Sequence, residues 1–307
     1  SDGQVLTSTG SGVGWEDASG GGSSITFKEG GTNFTNSIMI GDDATGTLNA
    51  ATGNTGLGVD IFAALTTGDN NVAVGLNALE AMTTGHSTVA IGMNALFRTT
   101  TGVNSVGVGQ EALQANTTGK HNVALGGFAL VQNTTADANV AVGINVLQAN
   151  TTGTQNVAVG GFSLDASTTA SFNTAVGYGS FGAGTTGEYN TALGNQAMGS
   201  GVVTGNFNTA IGRAALGVNT AGSSNCAVGI NSLAGNTTGN TNCAMGDSAL
   251  DANTTGSNNV AIGKNALGTA TTAHQNTACG NIALTVLTTG ASNAAFGGNA
   301  GGACTTG

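Results

Sequence analysis

The stretch from residue 71 to residue 92 reads NVAVGLNALEAMTTGHSTVAIG, and it decides the fold. Its first five residues, ending at Gly75, return as TVAIG at residues 88–92. Equivalent glycines recur along the chain at intervals of 17, with one interval of 18. This glycine column consists of Gly58, Gly75, Gly92, Gly109, Gly126, Gly143, Gly160, Gly177, Gly194, Gly212, Gly229, Gly246, Gly263, Gly280 and Gly297. A fixed period of this kind indicates a repeat architecture with one structural unit per copy.

Each place in the repeat has its own chemistry. Four residues before the glycine stands Asn in 13 of 15 copies, with Thr88 and Ser105 as the exceptions, so we predict a stacked column of amides that bond in series. The Asn column includes Asn122, Asn139, Asn156, Asn173, Asn190 and Asn208. An Ala flanked by Val, Ile, Leu or Thr follows, then the glycine, then a large apolar residue such as Leu79 four residues later. Most copies close with Thr-Thr-Gly, as at residues 83–85.

These places together predict an all-β fold, a parallel β-solenoid or β-roll in which each repeat of 17 forms one coil. The residues before each glycine form a short strand, and glycine permits the positive φ of a sharp turn. Gly and Thr recur too often for helices of useful length, and a propeller blade needs about 40 residues. Coils stacked at about 4.8 Å would make a rod of roughly 70 Å from 15 copies.

The coil is too thin to stabilise itself alone. Three large apolar side chains per coil bury little area against the conformational entropy lost when the whole repeat becomes ordered. The strand is also apolar on both faces: we expect the Val side chains, and Ile211 in the same place, to point into the coil, and the small Ala to leave room for a neighbouring chain. We therefore predict a parallel homotrimer.

The repeats resemble those of two kinds of surface protein. NTALG at residues 190–194 and NVAIG at residues 259–263 are similar to the head repeats of trimeric autotransporter adhesins. NTAVGY at residues 173–178 with TTG at residues 185–187 is still closer to repeats of bacteriophage tail fibres, and DGQVLTSTG at residues 2–10 is similar to segments of such fibres. The resemblance covers residues 37–307 and implies a left-handed coil and a trimer. It also implies a downstream chaperone domain, so we expect this chain to be a processed product or a fragment.

Residues 1–36 differ from the repeats. They are rich in Gly and Ser, and the segment from Gln4 to Trp15 is predicted to form a hairpin across residues 11–12. The rest is either a flexible linker or a cap on the open edge of the first coil. We therefore divide the chain into an N-terminal hairpin and linker or cap, residues 1–36, and a solenoid of about 15–16 coils, residues 37–307.

No candidate for catalysis or cofactor binding emerges from the repeat. Cys226 and Cys243 occupy one place in adjacent coils, where they act as small apolar residues or form a vertical disulfide, while Cys279 is expected in the core and Cys304 at the surface. The histidines fall near the Thr-Thr-Gly turn, and four aspartates near the start either hold a cation or are solvated. They are His86, His121 and His274, and Asp42, Asp43, Asp60 and Asp69. We expect no enzyme, no metal site and no cofactor.

The composition limits the classes of protein and of binding partner to be considered. The chain has 54 Gly, no Pro, 7% charged residues and a formal net charge of −10, which excludes collagen and leaves no basic stripe for nucleic acid. No apolar run approaches the roughly 20 residues of a membrane span, so we expect no membrane insertion. The expected function is the shaft of a phage tail fibre, on the virion or another extracellular surface, that spaces or presents binding to a glycan or protein receptor. The alternatives are a bacterial adhesin shaft and an ice-binding solenoid, for which Thr-Thr offers at most one outward column.

Overall fold

The computed structural model describes residues 4–8, 13–17, 26–31, 34–41 and 48–306, with side chains for residues 37–40 and 48–306. These residues form two units, residues 1–139 and 140–307, and each is described by itself. Within the described ranges the regular structure is entirely β.

The described residues of the first unit form ten strands. They are β1 Gln4–Ser8, β2 Val13–Asp17, β3 Thr26–Gly31, β4 Phe34–Gly41, β5 Ala51–Thr52, β6 Thr55–Gly58, β7 Val72–Val74, β8 Val89–Ile91, β9 Val106–Val108 and β10 Val123–Leu125. Strands β1 and β2 pair in antiparallel fashion, as the hairpin prediction requires. Strand β3 runs antiparallel along β4, so it covers one edge of β4 as a cap would. From β4 through β6 to β10 the pairing is parallel and in register.

The second unit contains ten further strands, all parallel and paired in chain order. They are β11 Val140–Val142, β12 Val157–Val159, β13 Thr174–Val176, β14 Thr191–Leu193, β15 Thr209–Ile211, β16 Cys226–Val228, β17 Cys243–Met245, β18 Val260–Ile262, β19 Thr277–Cys279 and β20 Ala294–Phe296. Each residue pairs with its equivalent in the next coil, as Ala158 does with Ala175. The predicted parallel β-solenoid with one coil per repeat is therefore confirmed in both units.

The interior of each coil is lined by small and branched residues from opposite sides. The strand Ala, where it is present, and the large residue four places after the glycine are buried, as in Ala73 and Leu79, both 0% exposed. Backbone hydrogen bonds between turns continue the stacking outside the strands, as from Thr83 N–H to the Thr100 carbonyl at 3.0 Å. The core is thus a stack of thin layers of similar composition.

The strands point their Ala side chains into the coil and their larger apolar side chains outward, the reverse of our prediction. Ala90 is buried, whereas its neighbour Ile91 is 39% exposed and Val89 is half-buried. The interior has no room for the larger side chain: at Gly107, which replaces the strand Ala in its coil, an added Cβ would lie 3.1 Å from Cδ1 of Leu96. The Leu fills the space opposite the strand, so only a small residue fits inward and the β-branched residues point outward.

The single interval of 18 is absorbed in a turn. Ser200 N–H bonds the carbonyl of Gly217, a sequence offset of 17, whereas Thr204 N–H bonds that of Thr220, an offset of only 16, so the extra residue lies between Ser200 and Thr204. Met198, four residues after Gly194, is buried as Leu79 is in its coil. The prediction that Ile211 is also buried was wrong, because its whole column faces outward: it is 38% exposed and remains in register with Leu193.

Candidate functional site: the columns of the solenoid

The glycine column closes each strand with a conformation that other residues rarely adopt. All fifteen predicted glycines have φ between 113° and 150°. At Gly229 (φ 135°) an added Cβ would also lie 2.5 Å from the carbonyl oxygen of Gly246 in the next coil. The column therefore requires glycine both for its backbone angle and for the close approach of the next turn.

The Asn column lies in the interior. Oδ1 of Asn208 accepts both the backbone N–H (3.0 Å) and the side-chain Nδ2–H (3.1 Å) of Asn225. Nδ2 of Asn225 also donates to the carbonyl of Gly239 at 2.9 Å. Both side chains are at most 1% exposed. Each amide therefore joins two coils and also fixes the Thr-Thr-Gly turn on the far side of its own coil.

A second interior Asn column escaped the sequence analysis. It lies directly before Thr-Thr-Gly, where Nδ2 of Asn236 donates to Oδ1 of Asn219 at 2.9 Å and to the carbonyl of Gly239 at 3.1 Å. Its members are Asn116, Asn133, Asn150, Asn219, Asn236 and Asn253, all 0% exposed. The recurrent four-residue sequence Asn-Thr-Thr-Gly was the signal, but other copies carry Leu, Met, Thr, Ser, Gly, Ala or Cys at this place.

The two threonines of the turn have different roles. The first is half-buried and its hydroxyl donates to the next coil, as from Thr237 Oγ1 to the Thr254 carbonyl at 2.9 Å. The second, such as Thr238, is exposed. Only one column of threonine hydroxyls is therefore presented at the surface of the turn.

The reactive residues are dispersed. Cys226 pairs in register with Cys243, and both are free thiols, as are Cys279 and Cys304. Burial raises the pKa of the Cys226 thiol, and the neighbouring Cys243 raises it further. Cys279 is half-exposed, so its predicted place in the core is wrong, since the column before each glycine faces outward. Cys304 is half-exposed as well, where we expected a surface position.

The histidines and aspartates form no common site. The three histidines are exposed, and Nδ1 of His274 accepts the backbone N–H of Ser257 at 3.0 Å. Oδ1 of Asp69 accepts the N–H of Thr52 at 2.8 Å, and Asp60 is half-buried. Asp42 and Asp43 lie outside the described residues. In the ranges that the structure describes, no three His, Cys, Asp or Glu residues come together as metal ligands.

The outward face of the sheet is the surface with the most distinct chemistry. The column directly before the glycine is apolar throughout and never buried; we call it the apolar column. Eight of its members are more than one-third exposed: Leu57, Ile91, Leu125, Val176, Ile211, Met245, Ile262 and Phe296. The residue directly after the glycine adds exposed apolar groups in several coils, including Leu76 at 44% and Ile144 at 53%. Apolar side chains at this spacing form a continuous stripe within each unit.

Three aromatic rings stack in the turns just before adjacent strands, two residues ahead of β13, β14 and β15. Phe172 and Tyr189 have centroids 4.7 Å apart at an interplanar angle of 3°, and Tyr189 and Phe207 follow at 5.2 Å and 13°. We call these three residues the aromatic column. They are 40%, 47% and 60% exposed, in a place that other coils fill mainly with polar residues.

Comparison with known proteins identifies no relative: no family model, no curated protein and no solved structure matches this chain. Within the described ranges, no helix is long and apolar enough to cross a lipid bilayer.

Proposed function

We propose that this chain is a structural component of an extracellular fibre, the shaft of a phage tail fibre, in which three copies run in parallel with their apolar columns facing the common axis. The apolar column carries the proposal. Ile211 and Met245 expose 38% and 43% of their surface in the single chain, and a partner chain removes that area from water.

A second copy in parallel is the partner that fits this face. The place three residues before the glycine is Val in six successive coils, from Val72 to Val157, and Thr in the next three, from Thr174 to Thr209. Parallel copies in register bring Val beside Val and Thr beside Thr, whereas fully overlapped antiparallel copies oppose most of these Val residues with Thr or Cys. The resemblance of the repeats to trimeric adhesin heads and phage fibres supports three copies and the fibre role.

Light scattering tests the assembly. The chain is expected to have three times its mass of 29.4 kDa. Ile211→Glu places like charges together at the axis and is expected to give monomers, whereas Thr186→Glu, at an exposed place in the turn, leaves the trimer intact. A folded, monodisperse monomer of the unchanged chain would overturn the proposal.

Immunogold electron microscopy tests the fibre role. An antibody against this chain is expected to label fibres on purified phage particles. Labelling confined to the surface of uninfected bacteria would favour the adhesin shaft instead.

A further inference from the structure

The aromatic column lies at one edge of the outward face, and an unusual row lies at the other edge of the same coils. Directly after the glycine, these three coils carry Tyr178, Asn195 and Arg213, which we call the strand-end row. All three are exposed, Tyr178 by 58%. The single ion pair in the described part of the chain joins Lys264 and Asp247, so Arg213 has no acidic partner there.

The two edges cannot meet within one chain. Strand β15, Thr209–Ile211, and the turn residues at its two ends separate Phe207 from Arg213, and the three strand residues alone span about 10 Å. A contact between the aromatic column and the strand-end row therefore requires two chains.

Three-fold symmetry brings the two edges together. In a cyclic trimer each interface joins two different surfaces, so the strand-start edge of one chain meets the strand-end edge of the next at the same height. On the basis of the trimer proposed above, we propose that the aromatic column of one chain docks on the strand-end row of its neighbour. Phe172 then meets Tyr178 of the next copy, Tyr189 meets Asn195, and Phe207 meets Arg213.

The chemistry of each pair is complementary. One face of the Phe207 ring stacks on Tyr189, while the next coil carries the short Ser224 at the same place, which leaves the other face open for a guanidinium. Phe172 and Tyr178 form an aromatic pair, and the Asn195 amide can hydrogen-bond the Tyr189 hydroxyl. These contacts fix which coil of one chain lies beside which coil of the next.

Disulfide trapping tests the pairing directly. In a background in which Cys226, Cys243, Cys279 and Cys304 are replaced, Tyr189→Cys combined with Asn195→Cys is expected to give a covalent trimer on a non-reducing gel after mild oxidation. Tyr189→Cys combined with Ile230→Cys is the control, because Ile230 lies two coils further on, about 10 Å out of line. No covalent trimer is expected from the control.

Light scattering of the same samples separates the two proposals. A trimer that does not cross-link in the first variant, or cross-links equally in the control, overturns the edge pairing while the trimer stands. A monomer overturns both. As a second measurement, Arg213→Gln is expected to raise the chain concentration at which half the trimer dissociates by about tenfold to a hundredfold, from three lost cation–π contacts. Arg98→Gln, the same charge change at an exposed turn, leaves it unchanged, and equal effects of the two variants would contradict the assignment of Arg213.

Discussion

Asn208 donates its side-chain Nδ2–H to Oδ1 of Asn190 at 3.1 Å across the one coil that contains an additional residue. The backbone N–H of Asn208 bonds the same oxygen at 2.9 Å, as in the coils of regular length. The interior columns therefore remain aligned while the turn beyond Met198 takes up the difference in length. The stacking, rather than a constant number of residues, defines the coil.

Two single-residue deletions should therefore differ sharply. Removal of the exposed Ser200 restores the regular interval between glycines and is expected to change the free energy of unfolding by less than about 1 kcal/mol, because small changes in loop length cost little. Removal of Ala210 moves Ile211 into the interior and reverses the faces of its strand, so the coil should not fold. Thermal unfolding followed by circular dichroism measures both. Similar melting temperatures for the two deletions would contradict this account.

The Asn column should be intolerant of an apolar replacement. Asn225→Leu removes the acceptor of the buried Asn242 backbone N–H and the side-chain donor to Oδ1 of Asn208, and it is expected to cost about 1–3 kcal/mol of unfolding free energy. Asn225→Ser should cost less, since Thr88 and Ser105 occupy this place naturally. Asn258→Ser is the control, at an exposed place filled by Ser in other coils, and should stay within about 0.5 kcal/mol. Chemical denaturation ranks the three, and a harmless Asn225→Leu would mean that the column does not support the fold.

Two Gly→Ala variants separate backbone strain from simple side-chain addition. Gly229→Ala imposes an unfavourable φ and a clash with the Gly246 carbonyl, so we expect a loss of at least about 2 kcal/mol. Gly127→Ala meets nothing within 4 Å and should stay within about 0.5 kcal/mol. Denaturation midpoints of the two proteins provide the measurement. If Gly127→Ala destabilised the protein as much as Gly229→Ala, the positions of the glycine column would not specifically require glycine.

Two partly buried aspartates should make stability depend on pH. Burial raises the pKa of Asp251 above its usual value, and the charge of Asp247 adds to it, although backbone hydrogen bonds oppose the shift. Folding therefore favours the protonated form, and the free energy of unfolding should fall as the pH rises from the ordinary aspartate pKa through the raised one. Asp251→Asn resembles the protonated form, so it should be more stable than the parent near pH 7 and should lack this part of the decline.

Asp165→Asn should act in the same direction, because burial raises the pKa of Asp165 as well. Melting temperatures at about pH 3 and about pH 7 measure both variants. A variant that is less stable than the parent at neutral pH, with an unchanged pH profile, would show that the carboxylate is favoured in the folded state.

The repeat made most of the architecture predictable. A glycine at a constant period, a polar amide four places earlier and a Leu four places later indicate a stacked coil, and the structure has Gly229, Asn225 and Leu233 in those roles. These places are recognisable because each one admits a single kind of residue for a physical reason.

Which face of each strand points into the coil was not predictable from the same pattern. Val72, Ala73 and Val74 are apolar on both sides, so alternation cannot tell the inner face from the outer one. Which face is buried depends on the width of the coil, which the Leu side chains opposite the strand determine. Leu79 itself has φ 54°, a left-handed conformation that no local preference of Leu would suggest; packing of the stacked layers imposes it.

The position in the repeat that the aromatic column occupies accepts many different residues in other coils. In other coils it is occupied by residues as different as Asn104, His121, Ala138, Gln155 and Thr241, all exposed and all with φ near 55°. The interior therefore stays constant while this surface position changes freely from coil to coil, at steps of about 4.8 Å. The exposed residue of one coil can therefore be substituted without changing the structure of the neighbouring coils. A new binding group can arise in a particular coil by a single substitution, while the fold stays the same.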